Sequence, residues 1–163
     1  MLPLMTALAL AGADLPAEPA PAPDYQTLYP VGQSIMLAQV CQNFGYEVDQ
    51  PELADWVTRQ RDAMIAADPQ LTAEVTDAAI VQSARNQFMW MYRLYWAESM
   101  FVRGVNEWDS TRMTFVNLYR KNCKRWASSP EMERLVTAPA QRVPASQVVS
   151  NMRAQFRLAG LDP

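Results

Sequence analysis

Apolar residues recur along most of this chain at three- and four-residue spacing, the pattern of helices that bury one face. A first helix is expected from about Gly32 to Phe44, with Leu37, Val40, Cys41 and Phe44 on one side and Gly45 as a C-terminal stop. Asp49 reads as the cap of a second helix, because Pro51 stands in its first turn and Glu52 lies three positions after the cap. That helix carries Leu53, Trp56, Val57 and Met64 and ends before Asp68-Pro69. Thr72 caps a third and longest helix reaching Val102 or Arg103, whose first half presents Val75, Ala78, Ala79 and Val81. A fourth, about Ser110 to Ala127, shows Met113, Val116, Tyr119, Cys123 and Trp126 at helical spacing. Ser129-Pro130-Glu131 opens a short fifth helix, and Thr137 to Pro144 forms a Pro-containing link. Ala145 to Leu158 is a last amphipathic helix with Val148, Val149, Met152 and Phe156, stopped by Gly160. Neither an internal repeat nor a strand is expected.

The end of the third helix breaks the pattern. From Phe88 to Val102 only Arg93, Glu98 and Ser99 interrupt large or apolar side chains, so apolar groups fall on nearly every face. A helix of that kind is buried on all sides or meets a partner. The stretch is too short and too interrupted to span a bilayer. It is expected to be the central core helix, with Trp90, Ala97 and Phe101 on the side that either the last helix or a partner covers. The fold expected is all-α: a compact bundle of five to six helices with a long central helix.

Residues 2–11 form a short uncharged apolar run, and Ala11-Gly12-Ala13 supplies small residues before Asp14. Residues 1–13 therefore read as a secretory signal peptide, although the run is preceded by no Lys or Arg. Residues 14–24, with Pro at every second or third position, read as a disordered extended tether. The folded domain is assigned to 25–163, and its expected location is the bacterial periplasm or the outside of the cell. In that setting two cysteines invite one disulfide, Cys41–Cys123, joining the first helix to the fourth. Their spacing excludes a CxxC redox motif.

Charge modifies this picture in two ways. Residues 14–109 hold 14 acids and 5 bases, whereas residues 110–163 hold 3 acids and 9 bases. The two halves either attract each other within the fold or turn the basic one toward an anionic partner. The densest cations are Arg120, Lys121, Lys124 and Arg125, forming two i,i+4 ridges on the fourth helix. They suit a lipid headgroup, an acidic wall polymer or a protein, or else simply a solvated helix end whose dipole favours cations. A net charge of −3 disfavours nucleic acid as the partner.

The chain has no histidine, which removes the commonest general base and metal ligand. Methionines at 36, 64, 89, 91, 100 and 113 raise Cu(I) binding, but they stand at helical apolar positions among aromatics, where Met serves as adaptable core filler. No metal or cofactor is expected. Glu98 is the acid most enclosed by apolar neighbours, a setting that raises a carboxyl pKa and suits a general acid; the alternative is a structural ion pair with an arginine. Glu98-Ser99 resembles the catalytic Glu-Ser pair of lytic transglycosylases, and that resemblance implies cell-wall hydrolysis with Glu98 as the acid. It covers those two residues; the Gly-Leu-Met-Gln type of segment that follows in that family is replaced here by Gly104-Val105-Asn106-Glu107-Trp108.

Taken together these features point to a non-enzymatic interaction or accessory protein of the bacterial cell envelope. Its partner would be an envelope protein, an anionic envelope polymer or a lipid surface, met through Arg120, Lys121, Lys124, Arg125, Trp90 and Phe101. Two other readings stay open, a small cell-wall hydrolase using Glu98 and a carrier of an apolar ligand in a Met- and aromatic-lined cavity.

Overall fold

The computed structural model describes residues 21–100 and 107–161; for 97–100 and 107–112 it describes the backbone alone. The described residues form an all-α bundle of five helices, α1 (Tyr25–Cys41), α2 (Gln50–Ala67), α3 (Ala73–Met100), α4 (Glu107–Ala127) and α5 (Ala145–Leu158), held by one disulfide between Cys41 and Cys123. No helix among the described residues is long and apolar enough to cross a membrane. The calls at 1–13 and at most of 14–24, together with Phe101 and the Glu98 side chain, lie outside the described residues.

Helix α1 begins seven residues before Gly32, where the sequence pattern placed its start. Asp24 is the cap: its carboxylate accepts from the Thr27 backbone amide at 3.0 Å and from the Thr27 hydroxyl at 2.6 Å. These two hydrogen bonds hold the Asp24 pKa below the ordinary carboxylate value. Pro30 lies inside the helix. Its missing N–H leaves the Gln26 carbonyl without its helical donor, and Gln26 is exposed, so water can serve that oxygen. The helix closes through a 3₁₀ turn, Gln42–Phe44, into Gly45 at φ 87°, a left-handed conformation that favours glycine. At α2 the expected signals hold, with Asp49 accepting from the Glu52 amide at 3.1 Å and Pro51 in the first turn.

Two short strands were not expected. β1 (Glu47–Val48) and β2 (Val136–Thr137) pair antiparallel, Glu47 opposite Thr137 and Val48 opposite Val136, and the Asp49 amide extends the ladder to the Leu135 carbonyl. Two residues per strand are too few to show a period of two. The expected short helix after Ser129 is instead a run of turns, with the Met132 and Glu133 amides both bonding the Ser129 carbonyl before the chain enters β2.

The α1–α3 seam is the main helix–helix contact, and its chemistry corrects the face assigned to the first half of α3. Val81 is 66% exposed, whereas Thr76, Ile80, Ser83, Ala84 and Gln87 are buried. Small and polar groups sit there because the two helices approach closely at Gly32. A Cβ on Gly32 would lie 2.3 Å from Ser83 Oγ and 2.8 Å from the Ala84 backbone nitrogen. The three buried polar side chains of α3 are bonded: Ser83 Oγ donates to the Leu28 carbonyl at 3.3 Å, Gln87 Nε2 to the Tyr29 carbonyl at 2.8 Å, and Thr76 Oγ1 to the Thr72 carbonyl at 2.8 Å.

On the next face of α3, residues Phe88, Tyr92 and Tyr95 receive Phe156 of α5, with ring centroids 6.1, 4.9 and 5.1 Å apart in edge-on arrangements. Tyr95 also meets Phe115 of α4 at 5.1 Å. Asn43 anchors α5 from the other side: its buried Nδ2 donates to the Val40 carbonyl and, at 2.7 Å, to Gln155 Oε1.

Candidate functional site

The second half of α3 is not buried on all sides. Met91 and Tyr95 are each 1% exposed, but Trp90 is 70% exposed. The side-chain directions explain the split. Positions 88, 92 and 95 face α5 and positions 87 and 91 face inward, while 86, 90 and 94 share a side that none of the described helices covers. The last helix therefore leaves Trp90 open.

That open side forms one wall of a groove between α1, α3 and α4 enclosing about 1020 Å³. This is at the top of the roughly 300–1,000 Å³ range of small-molecule sites. Tyr25, Leu28, Tyr29 and Gln33 line it from α1, and Leu118, Tyr119 and Asn122 from α4. From α3 come Gln82, Asn86, Trp90, Arg93 and Leu94, with Met36, Leu37 and Met91 as an apolar floor. Gln82 to Leu94 spans about 18 Å of helix at 1.5 Å per residue.

Three properties define the groove chemically. Aromatic faces stand at its edges: Tyr25 and Trp90 are 69% and 70% exposed, and the Tyr25 and Tyr29 rings are 5.5 Å apart. Carboxamides supply most of its polar atoms, among them the Gln82–Asn86 pair bonded at 2.8 Å. Charge is nearly missing: among the described residues Arg93 is the only charged one in the lining, which holds no carboxylate. Burial in this wall, reinforced by nearby Tyr29, pushes the Tyr119 hydroxyl well above the ordinary tyrosine pKa. Its phenol stays neutral at every physiological pH.

The cations Arg120, Lys121, Lys124 and Arg125 of α4 do not act as one patch. Arg120 is half-buried, and its guanidinium donates to the Val143 carbonyl, tying α4 to the segment before α5. Burial first, and Arg142 second, lower its pKa. Lys121, Lys124 and Arg125 are exposed. Two salt bridges lie within the acidic half, from Arg61 to Asp62 and to Asp77. Lys121 and Arg125 share a helical stripe with Leu118 and Asn122 of the groove wall (118, 121, 122, 125), whereas Lys124 lies on the Arg120 side.

No group of three or more Cys, Asp or Glu among the described residues is placed to hold a metal ion. Sequence reasoning singled out Trp90 but missed the α1 aromatics and the α3 carboxamides beside it. The available signals were Tyr25/Tyr29 and Gln82/Asn86, two i,i+4 pairs on surface-facing positions. Neither a family model, nor a curated protein, nor a solved structure matches the chain, so its function is argued from the groove.

Proposed function

We propose that this protein is a non-catalytic binding protein of the bacterial cell envelope, and that the α1–α3–α4 groove is its binding surface. The observation that carries this is the open apolar and aromatic lining around Trp90, since the other described aromatics outside the groove are buried or partly buried. Exposed Trp and Tyr held on rigid helices are the residue types that anchor ligands and partners. Among the described residues the groove lining holds no carboxylate, and its hydroxyl and carboxamide groups are suited to holding a ligand. Export is supported by the Cys41–Cys123 disulfide, since such bonds persist in oxidising compartments.

Site-specific photo-crosslinking in intact cells tests the proposal. A photoreactive residue at 90 or 118 is expected to form adducts with an envelope component, and one at Ala54, on the exposed face of α2, is expected to form none. Equal labelling from all three positions, or none from 90 and 118, would refute the groove as the binding surface.

A further inference from the structure

We infer that the groove's ligand is an acidic glycan strand, a chain of pyranose rings carrying acetamido and carboxylate groups. This deepens the binding role proposed above and rests on it.

Two independent features of the surface converge on that chemistry. The first is the pairing of open aromatic faces with carboxamides. A pyranose ring has a C–H face that lies flat on an indole or phenol and a rim of hydroxyl and amide groups that need planar donor–acceptor partners. Trp90 supplies such a face, and Asn86 and Gln82 stand on the same side of α3, one and two turns before it. An acyl chain would leave these amides without work, and a charged peptide would find no carboxylate and a single arginine in the lining.

The second feature is charge placement. The stripe that gives Leu118 and Asn122 to the groove continues into Lys121 and Arg125, both exposed and neither in an ion pair among the described residues. A ring-binding groove with a single cation, Arg93, in its lining and further cations along one wall fits a polymer whose rings are uncharged and whose substituents are anionic. A bare polyanion would use the cations and ignore the groove. A neutral sugar chain would do the reverse.

The test uses the oxidised full domain and fluorescently labelled, peptide-free glycan strands containing muramic acid, with neutral N-acetylglucosamine oligomers, polyglutamate and phosphatidylglycerol vesicles as comparators. Anisotropy should show saturable binding of both saccharides, with the acidic one tighter and more salt-sensitive. Trp90→Ala should weaken both roughly tenfold or more, as removal of a central aromatic anchor does. The double substitution Lys121→Gln, Arg125→Gln should weaken the acidic strand toward the affinity of the neutral one and reduce its salt dependence, leaving the share due to Arg93 in the lining, with the melting temperature unchanged. The proposal is overturned if polyglutamate or vesicles compete as well as the glycan, if Trp90→Ala changes nothing, or if neither saccharide binds. Should saccharides fail while crosslinks from 90 and 118 reach another molecule, the groove keeps its binding role and only the glycan assignment falls. Failure of both experiments removes both.

Discussion

Gly32→Ala is the most informative perturbation of this fold, because local and tertiary effects oppose each other. By helix propensity alone the change should stabilise α1 by about 0.8–1 kcal/mol, since Ala is the best and Gly among the poorest helix formers. The seam with α3 says otherwise. The new methyl would stand 2.3 Å from Ser83 Oγ, 2.8 Å from Ser83 Cβ and 2.8 Å from the Ala84 backbone nitrogen. Rotating Ser83 relieves the first contact but breaks its hydrogen bond to the Leu28 carbonyl, worth about 1 kcal/mol. The other two involve atoms fixed to the α3 backbone, so relief requires the helices to separate. Overpacking of that kind costs about 1–3 kcal/mol. The net expectation is a loss of about 1–3 kcal/mol, or roughly 2–4 °C in Tm for each kcal/mol in a domain of this size. Urea and thermal unfolding followed by far-UV circular dichroism measures it. Ser83→Gly in the Gly32→Ala background removes two of the three clashing atoms and should recover part of the loss. A Gly32→Ala protein as stable as the parent would show that α1 and α3 are not in close contact here, and the α1–α3 angle of the groove would have to be redrawn.

Two further outcomes follow from the core. Replacing Cys41 and Cys123 together by Ala should lower stability by about 4.5 kcal/mol, the chain-entropy value for a closed loop of 82 residues, read as a lower urea midpoint with a somewhat steeper slope because the unfolded chain without the cross-link is more expanded. Stability should fall as pH rises past about 10, because the Tyr119 hydroxyl ionises at its ordinary value of 10.0 in the unfolded chain but is held neutral by burial in the folded one. The stabilisation is complete below that value and is lost above it. In Tyr119→Phe the alkaline limb of the stability–pH curve should be shallower, and an unchanged limb would exclude Tyr119 as its source.

The sequence revealed helices wherever the hydrophobic stripe and the end signals agreed. Asp49, Pro51 and Glu52 locate the start of α2 because capping is chemistry between near neighbours. The start of α1 was missed because Pro30 reads as a breaker, and only its exposed surroundings make it tolerable. Faces proved harder than elements. The buried stripe of α3 contains Thr76, Ser83 and Gln87, which no hydrophobic scale selects; Gly32, more than forty residues away, decides it. Trp90 follows the same logic in reverse: the run from Phe88 shows that every side can be buried, but which side lacks a neighbour depends on where α5 lands. The disulfide was legible, since two cysteines in a chain that reads as exported leave one pairing.

That pairing also bears on survival among proteases. Cys41 and Cys123 enclose α2, α3 and most of α4, including the exposed Asp68-Pro69-Gln70 turn and the α3–α4 connection. A single cut anywhere between residues 42 and 122 leaves both fragments on one covalent thread, so the severed molecule can close again without having to find its other half. On a gel without reductant it would run as one species, and thiol would be needed to reveal that it had been cut.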